Sequence, residues 1–122
     1  MKDFARRAQG SCGALLALLA IGCSAWATHG LAPGRAQHNV LMACLYAFGH
    51  GAVLAVLAQQ ALSALARAGL WVLLCGVLLF SGSLLAGAVL GWSARAAPLG
   101  GLLLMLGWLL LSLGFWQRKG GA

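Results

Sequence analysis

Polar residues along this chain fall in short clusters, and between the clusters lie four uninterrupted apolar runs. The runs are Cys12–Thr28, Val40–Ala58, Leu70–Trp92 and Leu99–Trp116, and none holds Lys, Arg, Asp or Glu. A helix rises about 1.5 Å per residue and needs roughly 20 apolar residues to cross the hydrocarbon core of a bilayer. Each run can span, the first being short and the third long enough to tilt. The breaks between them, "GLAPGRAQH", "RAG" and "ARAAP", are too short for any extramembrane domain. The pattern predicts an all-α integral membrane protein. Residues 1–122 form a single domain, a four-transmembrane-helix bundle with short loops.

Composition agrees. The chain is 62% hydrophobic and 7% charged, more apolar surface than a soluble domain of 122 residues can bury. Eight basic residues face a single acid, Asp3. In a soluble protein such an excess points to nucleic acid. Here the basic residues edge the apolar runs, as in a membrane protein, and no nucleic-acid partner is expected. Lys2, Arg6, Arg7, Arg67, Arg118 and Lys119 fall on one side and Arg35 and Arg95 on the other. That asymmetry predicts a multi-pass protein of the bacterial inner (plasma) membrane with cytoplasmic N- and C-termini. Trp26, Trp71, Trp92 and Trp116 lie near run ends, where amphipathic rings prefer the headgroups. Trp108 breaks that rule and belongs inside the bundle or against lipid. The first run has features of a secretory signal, with "AWA" ending at Ala27 and "AIGC" ending at Cys23, but it is longer than most signal cores and is expected to stay as a helix.

Candidate chemistry is sparse. The four cysteines, Cys12, Cys23, Cys44 and Cys75, lie inside apolar runs without a CxxC pair and read as small buried hydrophobes. Folding the first two runs into a hairpin centred between Pro33 and Gly34 brings Cys23 level with Cys44, and His29 level with His38. A disulfide or a two-histidine metal site would fit that register, but two ligands make a poor site and no metal is expected. His50, in "LYAFGHGAVL", stands near the middle of the second run. A neutral imidazole there still has one N–H and one lone pair to satisfy, which lipid cannot do. It should point into the bundle. Matching run centres points to Ser81 and Ser83. Ser83 is the first expected partner, because it shares a face with Gly87 and Gly91, and Ser81 the second, with Ser24, Tyr46 and backbone carbonyls behind them. The structural reading is an interhelical bond of about 0.6–2 kcal/mol; the functional reading is a proton or ligand group.

Small residues recur at helical spacing: Ala43, Ala47, Gly51 and Ala55; Ser83, Gly87 and Gly91; Gly100, Gly107 and Gly114. Such stripes let helix backbones approach closely in lipid. The last is expected to be buried against another helix. Gly49 and Gly51 are expected to make room for a neighbour beside His50.

The pieces "ATHGL" (Ala27 to Leu31), "YAFGHG" (Tyr46 to Gly51), "LLFSGSLL" (Leu78 to Leu85) and "APLGGLLLMLGWLLL" (Ala97 to Leu111), in this order, resemble the YgdD/YwdK-type family of small four-helix membrane proteins. That family is a domain of unknown function whose members include a small mitochondrial transmembrane protein. The resemblance carries its motif onto His29, Gly30, His50, Phe80, Ser81, Gly82, Ser83, Pro98, Gly100, Gly101, Gly107 and Trp108. It departs at Ala47 and Gly49, where the family pattern has a polar residue and an aromatic, so no hydrogen-bond chain through those places is expected. It implies four membrane helices and no reaction.

The only acid lies near the N-terminus, so no catalytic Ser/His/Asp set exists and no catalytic residue is assigned. The leading expectation is a non-enzymatic structural, accessory or assembly component without cofactor, with the lipid bilayer and a homo-oligomer or membrane-protein partner around it. A small oligomeric transporter or channel for a neutral or anionic solute is the second reading, since proton-coupled cation export needs a membrane carboxylate this chain lacks. Haem or metal redox ranks last: His50 has no histidine at its own depth.

Overall fold

The computed structural model describes residues 1–117; Arg118 and Lys119, part of the basic asymmetry above, lie outside the described residues. The described chain forms four long helices, α1 (Lys2–Gly30), α2 (Arg35–Leu57), α3 (Ala64–Leu90) and α4 (Ala97–Trp116), with a 3₁₀ turn at Ala94–Ala96 before the last. Among the described residues there is no strand. Leu- and Ala-rich runs must satisfy every backbone group internally in lipid, and the helix does so. All four are long and apolar enough to cross a membrane, which makes this a multi-pass membrane protein. The helices outrun the apolar runs at their N-terminal ends. At 29 residues α1 spans roughly 43 Å, well beyond a hydrocarbon core of about 30 Å, so its first turns carry Lys2, Arg6 and Arg7 out of the core.

Local chemistry fixes the ends. Ser63 caps α3: its Oγ accepts from the Ala66 N–H (3.2 Å) and donates to the Gly114 carbonyl (3.2 Å), tying the start of α3 to the end of α4. Gly91 ends α3 in the left-handed conformation (φ 69°), which costs glycine least. Pro98 sits in the first turn of α4, where its missing N–H is not needed. Gln37 closes the first hairpin, its side-chain N–H groups donating to the carbonyls of Ala27 (3.0 Å) and Leu31 (3.3 Å).

The helices pack in series. α1 pairs with α2, α2 with α3, and α3 with α4, while α1 only brushes α3. Among the described residues, α4 brings no Cα within 8 Å of α1 or α2. The bundle is therefore open, two antiparallel hairpins joined along α2 and α3.

Glycine makes both hairpins. Along α4, Gly100, Gly107 and Gly114 are buried, as expected, and they meet Phe80, Leu73 and Ala66 of α3. Between these layers Gly76 and Gly69 of α3 take up the α4 backbone at Leu104 and Leu111. Contacts alternate three and four residues apart on both helices, the left-handed packing of a coiled coil at close range. In the first hairpin Gly13 and Gly51 face each other: a Cβ on either would fall 2.5 or 2.6 Å from the other's carbonyl oxygen.

Two expectations about small residues need correction. Gly49 has nothing within 4 Å of where its Cβ would be and makes room for no helix. The stripe of Ser83, Gly87 and Gly91 is not a helix–helix face either. The chain after α3 folds back on Gly87 through Trp92 and Ala94, and Gly91 is the cap.

Candidate functional site

His50 is held on both sides. Its Nδ1 lies 2.8 Å from the Tyr46 carbonyl oxygen one turn earlier on α2, and its Nε2 lies 3.1 Å from Trp108 Nε1 on α4. A carbonyl only accepts and an indole N–H only donates. Nδ1 therefore carries the hydrogen, Nε2 presents its lone pair, and the ring is neutral in this arrangement. Both polar atoms are satisfied, as an imidazole away from water requires.

Of the expected partners the Tyr46 carbonyl is met, and the favoured serines are not. Neither Ser83 nor Ser81 on α3 meets His50, and Ser24 on α1 donates instead to Ile21 of its own helix (2.8 Å). Ser81 is buried and donates to the Ala43 carbonyl of α2 (2.8 Å). Ala43 lies two turns, about 10 Å, along α2 from His50. The reason is register. Run centres were matched, but α3 begins at Ala64, well before the apolar run starting at Leu70, and passes through Arg67. Its true centre shifts toward the N-terminus, and His50 comes level with the middle of α3 and with Gly107–Trp108 on α4.

Aromatic rings continue the contact. Tyr46 stacks near His50 (centroids 5.9 Å, 12° between planes) and tilts against Phe80 of α3 (4.5 Å, 44°). The His50 and Trp108 rings stand 5.9 Å apart at 59°. Phe80 in turn backs onto Gly100, and Gly101 is just within reach of its ring. Phe80, Tyr46, His50 and Trp108 thus run from α3 across α2 to α4. This is where α2 holds α4 without their backbones meeting. Trp108 faces both ways, with its N–H on His50 and its ring 44% exposed on the outer face.

The remaining predicted residues lie elsewhere. His29 and His38 are exposed beside the first loop, and Gly30 ends α1 beneath the Trp26 ring. Gly82 is open, with nothing near its missing Cβ. The five polar residues expected as one cluster are therefore dispersed: Tyr46 with His50, Ser81 with Ala43, Ser24 on its own helix, and Ser83, half-buried, apart from all of them. Cys23 and Cys44 do come level, sharing with Ser81 an apolar groove of about 160 Å³ between α1, α2 and α3; both are free thiols. Among the described residues no three His, Cys, Asp or Glu side chains gather as a metal site would need.

A second polar arrangement, at the end holding the start of α1 and the α2–α3 loop, went unforeseen. The Arg67 Nη1 donates to Gln9 Oε1 (3.0 Å) and the Ala58 carbonyl (2.9 Å), and its Nη2 to the Gln60 carbonyl (3.0 Å). Arg6 donates to the Gln59 carbonyl. Gln9 is fully buried. A glutamine one turn before Gly13, on the face that glycine buries, was the available signal, obscured because the first run was taken to start at Cys12.

The model of a protein family of unknown function, DUF423, matches residues 23–101, more than half of the chain. The chain belongs to this family. The match agrees with the resemblance seen in its motifs, and it holds Tyr46, His50, Phe80 and Gly100 of this DUF423 protein. It ends before Gly107 and Trp108, so the indole that satisfies His50 stands outside the matched region. Comparison with curated proteins and with solved structures found no match.

Proposed function

We propose that this DUF423 chain is a non-enzymatic structural, accessory or assembly component of the bacterial inner membrane, with both termini cytoplasmic, that packs against a second copy or another membrane protein. One observation carries the reading: the polar side chains midway along α2 and α3 are engaged in holding the chain's own helices. His50 has both nitrogens occupied by Tyr46 and Trp108, and Ser81 gives its proton to Ala43. A proton or solute carrier needs such groups available to change partners. The open series of helices adds support, because α1 and α4 each use one face within the chain and leave long apolar faces for neighbours. Basic residues gathered at the start of α1 and at Arg67 support the orientation.

The test is purification in mild detergent with quantitation of what accompanies the chain. A stoichiometric membrane protein or a defined homo-oligomer is the expected result. Flux of a neutral or anionic solute in proteoliposomes, abolished by His50→Gln in a folded protein, overturns the proposal, as does a stoichiometric coloured cofactor. Reporter fusions after Ala122 and within Leu31–Gln37 test the orientation; an exported C-terminus overturns it.

A further inference from the structure

At the end of the bundle where α1 starts and α2 meets α3, Lys2, Arg6 and Arg67 line one recess of about 430 Å³, with Gln60, Ala61 and Leu62. Among the described residues, every acceptor the two guanidinium groups reach is neutral: the Gln59 carbonyl for Arg6, and Gln9, Ala58 and Gln60 for Arg67. The chain has one acidic side chain in all, Asp3, and neither arginine bonds it. Two further features make this end rich in donors. Ala64, at the start of α3, also lines the recess, and the first N–H groups of a helix have no partner within it. Behind Arg67, the fully buried Gln9 spends Oε1 on the guanidinium and leaves Nε2 without an acceptor.

We propose that this recess binds the phosphate-bearing headgroup of an anionic phospholipid. The recess lies where the first apolar run gives way to the basic start of α1, the level of headgroups rather than acyl chains. Arg67 is held in place by three acceptors, so little side-chain freedom remains to be lost on binding. Lys2 and Arg6 bring charge from a second helix, and Ala61 and Leu62 give the apolar wall that the glycerol end of a lipid needs. Basic pockets between membrane helices bind anionic headgroups in this manner.

The experiment uses the full chain in phosphatidylcholine vesicles with trace spin-labelled phosphatidylglycerol or phosphatidylcholine, the immobilised fraction giving the selectivity. The parent is expected to prefer phosphatidylglycerol. At about 1 kcal/mol for each basic residue near an anionic headgroup, Arg6→Gln and Lys2→Gln are each expected to cut that preference by up to roughly fivefold. Lys2 is exposed and outside the helix contacts, so its variant reads binding without risk to the fold. Equal retention of both lipids by the parent overturns the proposal, and so does a preference unchanged in the folded double variant. Loss of the labelled lipid to millimolar inorganic phosphate, with choline chloride at equal ionic strength inactive, marks a site for the free anion and overturns the lipid assignment.

Discussion

Replacing Gly100 by alanine tests how the second hairpin is held. The added Cβ would fall 2.5 Å from the Phe80 backbone nitrogen and 2.8 Å from its Cα. Comfortable separations between such atoms are about 3.5–4.0 Å. The Phe80 backbone lies in the interior of α3 and cannot rotate away, so α4 must retreat locally by about 1 Å. A gap of that size forfeits a quarter to a half of each neighbouring dispersion contact, and the adjoining layers, Gly76 with Leu104 and Leu73 with Gly107, open with it. Overpacking typically costs about 1–3 kcal/mol, while glycine to alanine in a helix returns about 0.4–1 kcal/mol through the unfolded chain. The expected net loss is about 1–2 kcal/mol. Gly107→Ala should lose less, because its nearest obstacle is the Leu73 side chain (2.7 Å), which can move, although the Leu73 nitrogen stands at 3.0 Å. Gly82→Ala, with open space around it, should be neutral or slightly stabilising. Reversible unfolding in mixed micelles, followed by tryptophan fluorescence, gives all three numbers. A Gly100→Ala protein as stable as Gly82→Ala would refute the close-packed seam.

The bond between α2 and α4 is tested by a double-mutant cycle on His50→Ala and Trp108→Phe, read by the same unfolding assay. The expected coupling is about 0.6–1.7 kcal/mol, and a coupling near zero would mean the indole N–H does not serve His50. The two serines of "FSGS" should separate: Ser81→Ala loses the bond to the Ala43 carbonyl and about 0.6 kcal/mol, whereas Ser83→Ala should leave the unfolding midpoint unchanged.

The sequence exposed some parts of this fold and hid others for identifiable reasons. The four helices were legible because lipid accepts no other use of a long uncharged run. The α4 seam was legible because three glycines repeat every seven residues. Its counterpart on α3 follows the same spacing through Ala66, Gly69, Leu73, Gly76 and Phe80, yet only two of the five are glycines, and the more regular Ser83, Gly87 and Gly91 drew attention away. His50 was rightly marked as a group that must find partners. One partner, the Tyr46 carbonyl one turn back, was among the candidates, but Trp108 was missed and the α3 serines were favoured because charges were taken to end helices, and Arg67 does not end α3. Its guanidinium reaches back to the carbonyls at the end of α2, which lets a charged residue sit inside the helix. With α2 also starting before its apolar run, at Arg35, the two helices slide past each other, Ser81 meets Ala43, and α4 rather than α3 supplies the second partner of His50.

That exchange bears on what kind of protein this is. Within lipid, burial of apolar surface gives helices no preference for one another over the solvent, so association rests on close approach and on hydrogen bonds. Here the two means carry different weight at different contacts. Each hairpin is built by close approach, Gly13 against Gly51 and the glycines of α4 against α3. Between the hairpins, α2 and α3 pack through buried residues such as Ala47, Leu54, Leu70 and Val77, and polar side chains add bonds across the joint: Ser81 to Ala43, Trp108 to His50, and Arg67 to Gln9 and Ala58. Hydrogen bonds of this kind average well under 2 kcal/mol, less than a continuous glycine seam supplies by dispersion over five layers. The hairpins should therefore be the rigid bodies, with the joint between them the weaker element. The few polar groups at that joint set how the two helical pairs sit against each other, and the outer faces of α1 and α4 stay apolar.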